Sequence, residues 1–116
     1  MSNDRRDRFD VVFKALANAT RRSILDTLRD QPLTTGALAG QYSELDRCTV
    51  MQHLKVLEDA ELVIAERRGR ERWNHLNPLP IHDIHERWIG PHAKGAVARL
   101  AKLKAELEAP INDAAD

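Results

Sequence analysis

A chain of 116 residues with 42% apolar and 31% charged residues has the length of one ordinary domain and enough apolar material for a core, which excludes wholesale disorder. Its formal net charge is zero, so it does not hold nucleic acid by bulk charge, and any such contact must come from a local patch. One cysteine excludes an intrachain disulfide, and the lack of an apolar run of ~20 residues excludes a membrane-spanning helix, so a cytoplasmic protein is expected.

The N-terminal MSNDRRDRF has no apolar run behind it and does not read as a signal peptide. Phe9, Val12, Phe13 and Leu16 then recur at helical spacing. Asn18 is placed to cap a second helix carrying Ile24, Leu25 and Leu28, which Gln31-Pro32 ends because proline cannot continue the hydrogen-bond ladder. Leu33 is a short extended residue. Thr34 caps a third, short helix expected to end near Tyr42, and Asp46 caps a fourth from Arg47 to Ala60 with Val50, Leu54 and Leu57 inward.

Leu62-Val63-Ile64-Ala65 is short, apolar and partly β-branched, which predicts a strand; Arg68-Gly69-Arg70 predicts a turn, and Glu71 to Leu76 the returning strand. Asn77-Pro78 and Pro80 break the chain. Ile81, Ile84 and Trp88, then Val97, Leu100, Leu103 and Leu107, form a terminal helical stripe with a kink or break at Gly90-Pro91. No repeat or linker intervenes. The expectation is one domain over 1–116, with a core and wing over 8–76 and a C-terminal helical region over 80–109. The fold class is mainly α: a winged helix-turn-helix with a two-stranded β-wing, flanked by N- and C-terminal dimerisation helices.

In this fold the second helix of the helix-turn-helix lies in the major groove with its N-terminal residues at base edges. With Val50, Leu54 and Leu57 inward, a helical wheel turns Cys48, Gln52, Lys55 and Asp59 outward, flanked by Thr49, Met51 and Val56. Glutamine pairs bidentately with adenine, and Lys55 suits phosphate or guanine. Residues 66–72 hold four arginines against two glutamates, and Arg68 and Arg70, beside Gly69 at the tip, are the candidate phosphate ligands.

The segments FKALANATRRSILDTL, LTTGALA, TVMQHLKVLEDAELV and RRGRERWNHL occur in an order that resembles ArsR/SmtB-type winged-helix regulators over Val12 to Leu76. The resemblance implies a homodimeric repressor that binds double-stranded DNA at an imperfect inverted repeat. It places recognition contacts on Arg47, Cys48, Thr49, Met51, Gln52 and His53, and wing contacts near Arg68 and Arg70. Met51 stands where relatives often have Ser and Arg47 where many have Gln, so base preference does not transfer.

Relatives of this kind that sense arsenite or cadmium place paired cysteines in the helix before the recognition helix, where TTGALAGQY has none. Asp83-Ile84-His85 matches half of a zinc or nickel pattern, but Ala96 and Arg99 stand at the remaining ligand positions. No metal site and no cofactor are therefore assigned. A metal-responsive alternative would rest on His82, His85 and His92. A second alternative is a winged helix that binds protein rather than DNA, which salt-dependent DNA affinity would distinguish. Cys48, near the start of the recognition helix, would be a redox-sensitive position if its thiol were activated there. No nucleophile–base arrangement, phosphate loop or CxxC points to an enzyme.

One recognition helix covers too few base pairs for specificity in a genome, so two-fold pairing is expected. The apolar residues left to form a self-complementary surface are Phe9, Val12, Phe13 and Leu16 on the first helix and Ile84, Trp88, Val97, Leu100, Leu103 and Leu107 near the C-terminus. An effector of unidentified chemistry would complete such a regulator.

Overall fold

Local capping chemistry sets where the helices begin. The computed structural model describes the backbone of residues 4–90 and 94–110, and side chains over 8–90 and 95–110. Helix α1 (Asp4–Leu16) is followed by α2 (Ala19–Asp30), whose cap Asn18 accepts from the backbone N–H of Arg21 at 3.0 Å. Strand β1 (Leu33–Thr34) leads into α3 (Thr35–Gly40), where the Thr34 hydroxyl accepts from the Ala37 N–H at 3.0 Å. Helix α4 (Arg47–Asp59) starts at Asp46, whose carboxylate accepts from the Thr49 N–H at 2.7 Å.

Helix α4 closes with the Leu62 N–H donating to the Leu57 carbonyl and the Glu61 N–H to the Glu58 carbonyl, both at 2.9 Å. Glu61 takes the left-handed conformation, φ 62°, that this closing pattern requires, although it is not glycine. Strands β2 (Val63–Arg68) and β3 (Glu71–Leu76) follow, joined through Gly69 at φ 63°.

The winged helix-turn-helix is the fold expected, with one strand more in its sheet. The sheet runs β1-β3-β2, all antiparallel, and β1 pairs through Leu33 with Asn74 and Thr34 with Trp73. A strand of two residues has no alternation to read, so only the pairing reveals it. The hairpin register sets Val63 against Leu76, Ala65 against Asn74 and Arg67 against Arg72 on one face. Ile64 against His75, Glu66 against Trp73 and Arg68 against Glu71 lie on the other.

The described residues up to 82 form one compact unit and those from 83 onward a second. The core of the first gathers Val12 and Ala15 of α1, Ile24, Leu25 and Leu28 of α2, Leu38 of α3, Val50, Leu54 and Leu57 of α4, and Leu62 and Val63 at the start of the wing. Cutting a core residue such as Leu54 to alanine should cost about 2–5 kcal/mol.

Helix α5 (Leu79–Trp88) stops at Gly90, φ 69°, whose N–H donates to the His85 carbonyl at 2.9 Å. Helix α6 (Lys94–Glu108) is separate, so the C-terminal region is broken into two helices rather than kinked. Pro91 and His92 lie outside the described residues.

Candidate nucleic-acid interface

The cap at Asp46 gives α4 a defined N-terminal turn, and the hydrogen bond from the Thr49 backbone holds the Asp46 carboxyl below its ordinary range. Burial of Val50, Leu54 and Leu57 fixes which face of α4 is left to solvent. On that face Cys48, Met51, Gln52 and Lys55 are exposed; Arg47, in the first turn, is exposed at one edge, and Thr49 and His53 are half-buried at the other. The N-terminal half thus offers a guanidinium, a thiol, a thioether and an amide, a set able to read base edges by hydrogen bonds and apolar contact.

Lys55 is not free: its ammonium donates to Asp59 at 3.0 Å, one turn on, and this bond raises its affinity for the proton. His53 meets Arg21 of α2, with Nη1 to Nδ1 at 3.3 Å. Arg21 also donates from Nε to the Ala15 carbonyl at 2.8 Å and from Nη2 to the Lys14 carbonyl at 3.0 Å, at the end of α1. Partial burial, and then the charge of Arg21, hold the His53 imidazole below its ordinary pKa.

In the wing the four arginines do four different things. Arg70, at the tip, is exposed and pairs with no described residue, and Arg67 is exposed on the face shared with Arg72. Arg68 donates to Glu66 at 2.9 Å and lies over the Trp73 ring at 4.9 Å from its centroid. Glu66 is shared with His75 Nε2 at 2.8 Å, and the hydrogen bonds from Arg68 and then His75 keep its carboxyl ionised to lower pH. Arg72 turns inward, with Nη2 donating to Glu58 of α4 at 2.7 Å and Nε to Asn74 Oδ1 at 3.3 Å.

Arg21, Glu58, Arg72 and Asn74 are not singled out by sequence reading. The available signal was phase: Arg72, Asn74 and Leu76 alternate together, so a polar pair sits on the inward side of a strand.

On α1, Phe13 is exposed, Phe9 and Leu16 are half-buried, and Val12, at 4% exposure, belongs to the core of its own unit. In the second unit Trp88, Val97, Leu100, Leu103 and Leu107 are all exposed, Leu100 at 62%, while Ile84 is half-buried. His82 and His85 are exposed on α5, and among the described residues no three His, Cys, Asp or Glu side chains are disposed around a common metal position.

A family profile described as a helix-turn-helix domain matches residues 16–65. The HTH-type transcriptional regulator YuzN of Bacillus subtilis is 36% identical over 69% of this chain and 94% of its own length. The transcriptional repressor SdpR of the same organism is 33% identical over 62% of this chain and 79% of its own. Among solved structures, the homodimeric winged helix-turn-helix DNA-binding domain Mb0332 of Mycobacterium bovis, a possible ArsR-family regulator, is similar at a TM-score of 0.58 and 26% identity, covering 92% of this chain and 85% of that one. The capped, outward-facing α4 and the arginine-bearing hairpin define a winged helix-turn-helix DNA-binding regulator. The chain belongs to the ArsR family of transcriptional regulators.

Proposed function

We propose that this regulator is a repressor that binds an inverted-repeat operator as a homodimer, with α4 in the major groove and the β2–β3 tip on the adjacent backbone. The observation that carries the reading is the α4 face itself. Its N-terminal half presents Arg47, Cys48, Met51 and Gln52 to solvent, next in sequence to a hairpin whose tip arginine, Arg70, has no described partner. Thr49, His53, Lys55 and Arg68 complete the proposed DNA contacts. Lys55 must exchange Asp59 for phosphate or base, and Arg68 must exchange Glu66; both ion pairs are solvent-exposed and open at little cost.

Two copies would pair through Phe9, Phe13 and Leu16 on α1 and Ile84, Trp88, Val97, Leu100, Leu103 and Leu107 on α5 and α6. The exposed apolar row on α6 supports this, because soluble monomers rarely carry a large apolar patch. The homodimeric state of the similar Mycobacterium bovis domain and the repressor role of SdpR support it as well. Selection of random duplexes by the purified protein tests the reading. It should return two half-sites with centres about one helical turn, or ~10 base pairs, apart, bound with an affinity that falls steeply with salt. Recovery of no preferred sequence would overturn it.

A further inference from the structure

Asn74 has no exposure at all, yet it is an amide in the middle of the wing. Burying an amide is costly unless its hydrogen bonds are made, and here they are. Its Nδ2 donates to the Leu33 carbonyl at 3.2 Å and to the Thr35 hydroxyl at 3.1 Å, and its Oδ1 accepts from Arg72 Nε at 3.3 Å. That distribution fixes which way the amide faces. Arg72, so held, reaches Glu58 on α4 at 2.7 Å. One directional chain of bonds therefore runs from the recognition helix through the central strand of the sheet to the start of α3.

Apolar packing tolerates small slides and rotations; a charge-assisted bond with a fixed geometry does not. The Glu58–Arg72 pair is the only ion pair among the described residues that joins α4 to the wing, and both side chains are about two-thirds covered, Arg72 at 34% and Glu58 at 37% exposure. We propose that Arg72 and Glu58, anchored by Asn74, are positioning residues. They set the angle between the wing and α4 so that the tip arginines and the α4 face meet one duplex in a single register. Neither touches DNA. The inference rests on the DNA-binding reading above and adds to it the residues that fix the geometry.

The sign of one substitution separates this from simple electrostatics. Glu58→Gln removes a negative charge near the proposed DNA surface, so charge alone predicts tighter binding to any duplex. Disturbed positioning predicts a lower ratio of operator to unrelated-duplex affinity. The experiment measures that ratio for Glu58→Gln, Arg72→Gln and the double variant, then repeats it with Arg68→Ala and Arg70→Ala in the background. Each single substitution should lower the ratio about tenfold. The double variant should be no worse than either single, and the effect should vanish once the tip arginines are gone.

A Glu58→Gln protein with an unchanged or higher ratio overturns the proposal. So does an Arg72→Gln effect that adds in full to the tip substitutions, since Arg72 would then hold phosphate itself. If a glutamine variant fails to fold, Arg72→Lys and Glu58→Asp keep the charges and shorten the reach; the same loss of ratio is expected, and wild-type ratios in both overturn the proposal. An unsubstituted protein with no preferred sequence defeats the DNA-binding reading, and this inference with it.

Discussion

Arg21 on α2 donates to Nδ1 of His53 on the recognition helix at 3.3 Å while its other nitrogens hold the last carbonyls of α1. A guanidinium only donates, so Nδ1 must accept, and the imidazole is neutral with its proton on Nε2. Protonating His53 removes that acceptor and sets two cations against each other. The folded-state pKa lies below the ordinary value of 6.5. Its stabilising contribution is therefore complete above about 6.5 and is lost as pH falls through the lower folded value. Denaturant midpoints between pH 7.5 and 5 should fall more for the unsubstituted protein than for His53→Gln; parallel profiles would show that His53 is not linked to folding. Arg21→Ala should cost about 1–3 kcal/mol, since it strips three hydrogen bonds from the junction of α1, α2 and α4.

At the wing tip, Arg68→Ala with Arg70→Ala should leave thermal stability almost unchanged, because both side chains are exposed. For every phosphate that is no longer neutralised, the slope of log affinity against log salt should shrink in magnitude by about 0.9. An unaltered slope would mean that the tip does not meet the DNA backbone.

On α4, Gln52 is exposed and nearly two turns beyond the Asp46 cap. Gln52→Ala should relax base preference at one position of each half-site, costing about 1–3 kcal/mol of discrimination if the amide makes a bidentate pair. A uniform loss across all sequences would reassign it to backbone positioning.

On α6, Leu100→Glu places a charge in the exposed apolar row. Sedimentation should show a shift toward monomer, with operator binding abolished while helical content is kept. A monomeric unsubstituted protein at micromolar concentration would defeat the paired arrangement outright.

The caps at Asn18, Thr34 and Asp46, and the strand from Glu71 to Leu76, were legible in the sequence because each depends on chemistry within a few residues. Strand β1 was not, since its partner β3 lies some forty residues away and two residues carry no period. The α4 wheel correctly exposed Gln52 and Lys55 but could not show Lys55 folded back onto Asp59. On α1 the four apolar residues share one stripe, and only packing shows that its Val12 edge, with Ala15, takes the core while Phe13 at the other edge stays out. Arginine density drew attention to residues 67–72 as a group; the register then separates Arg72, which faces the protein, from Arg68, which lies on the opposite face.

The pairing of Leu33 with Asn74 has a topological consequence. It closes a loop of chain that contains α3, the turn, all of α4 and β2, so the ends of that loop are pinned at the sheet while α4 packs through Val50, Leu54 and Leu57 into the same core. The helix and sheet should then open together. Their slowest-exchanging amides, those around Leu54, Leu57 and Asn74, would report one common opening free energy, well above that of the wing tip at Gly69. In such a molecule the reading surface is available only when the whole cooperative unit is intact, so partial unfolding silences DNA recognition rather than degrading it by steps.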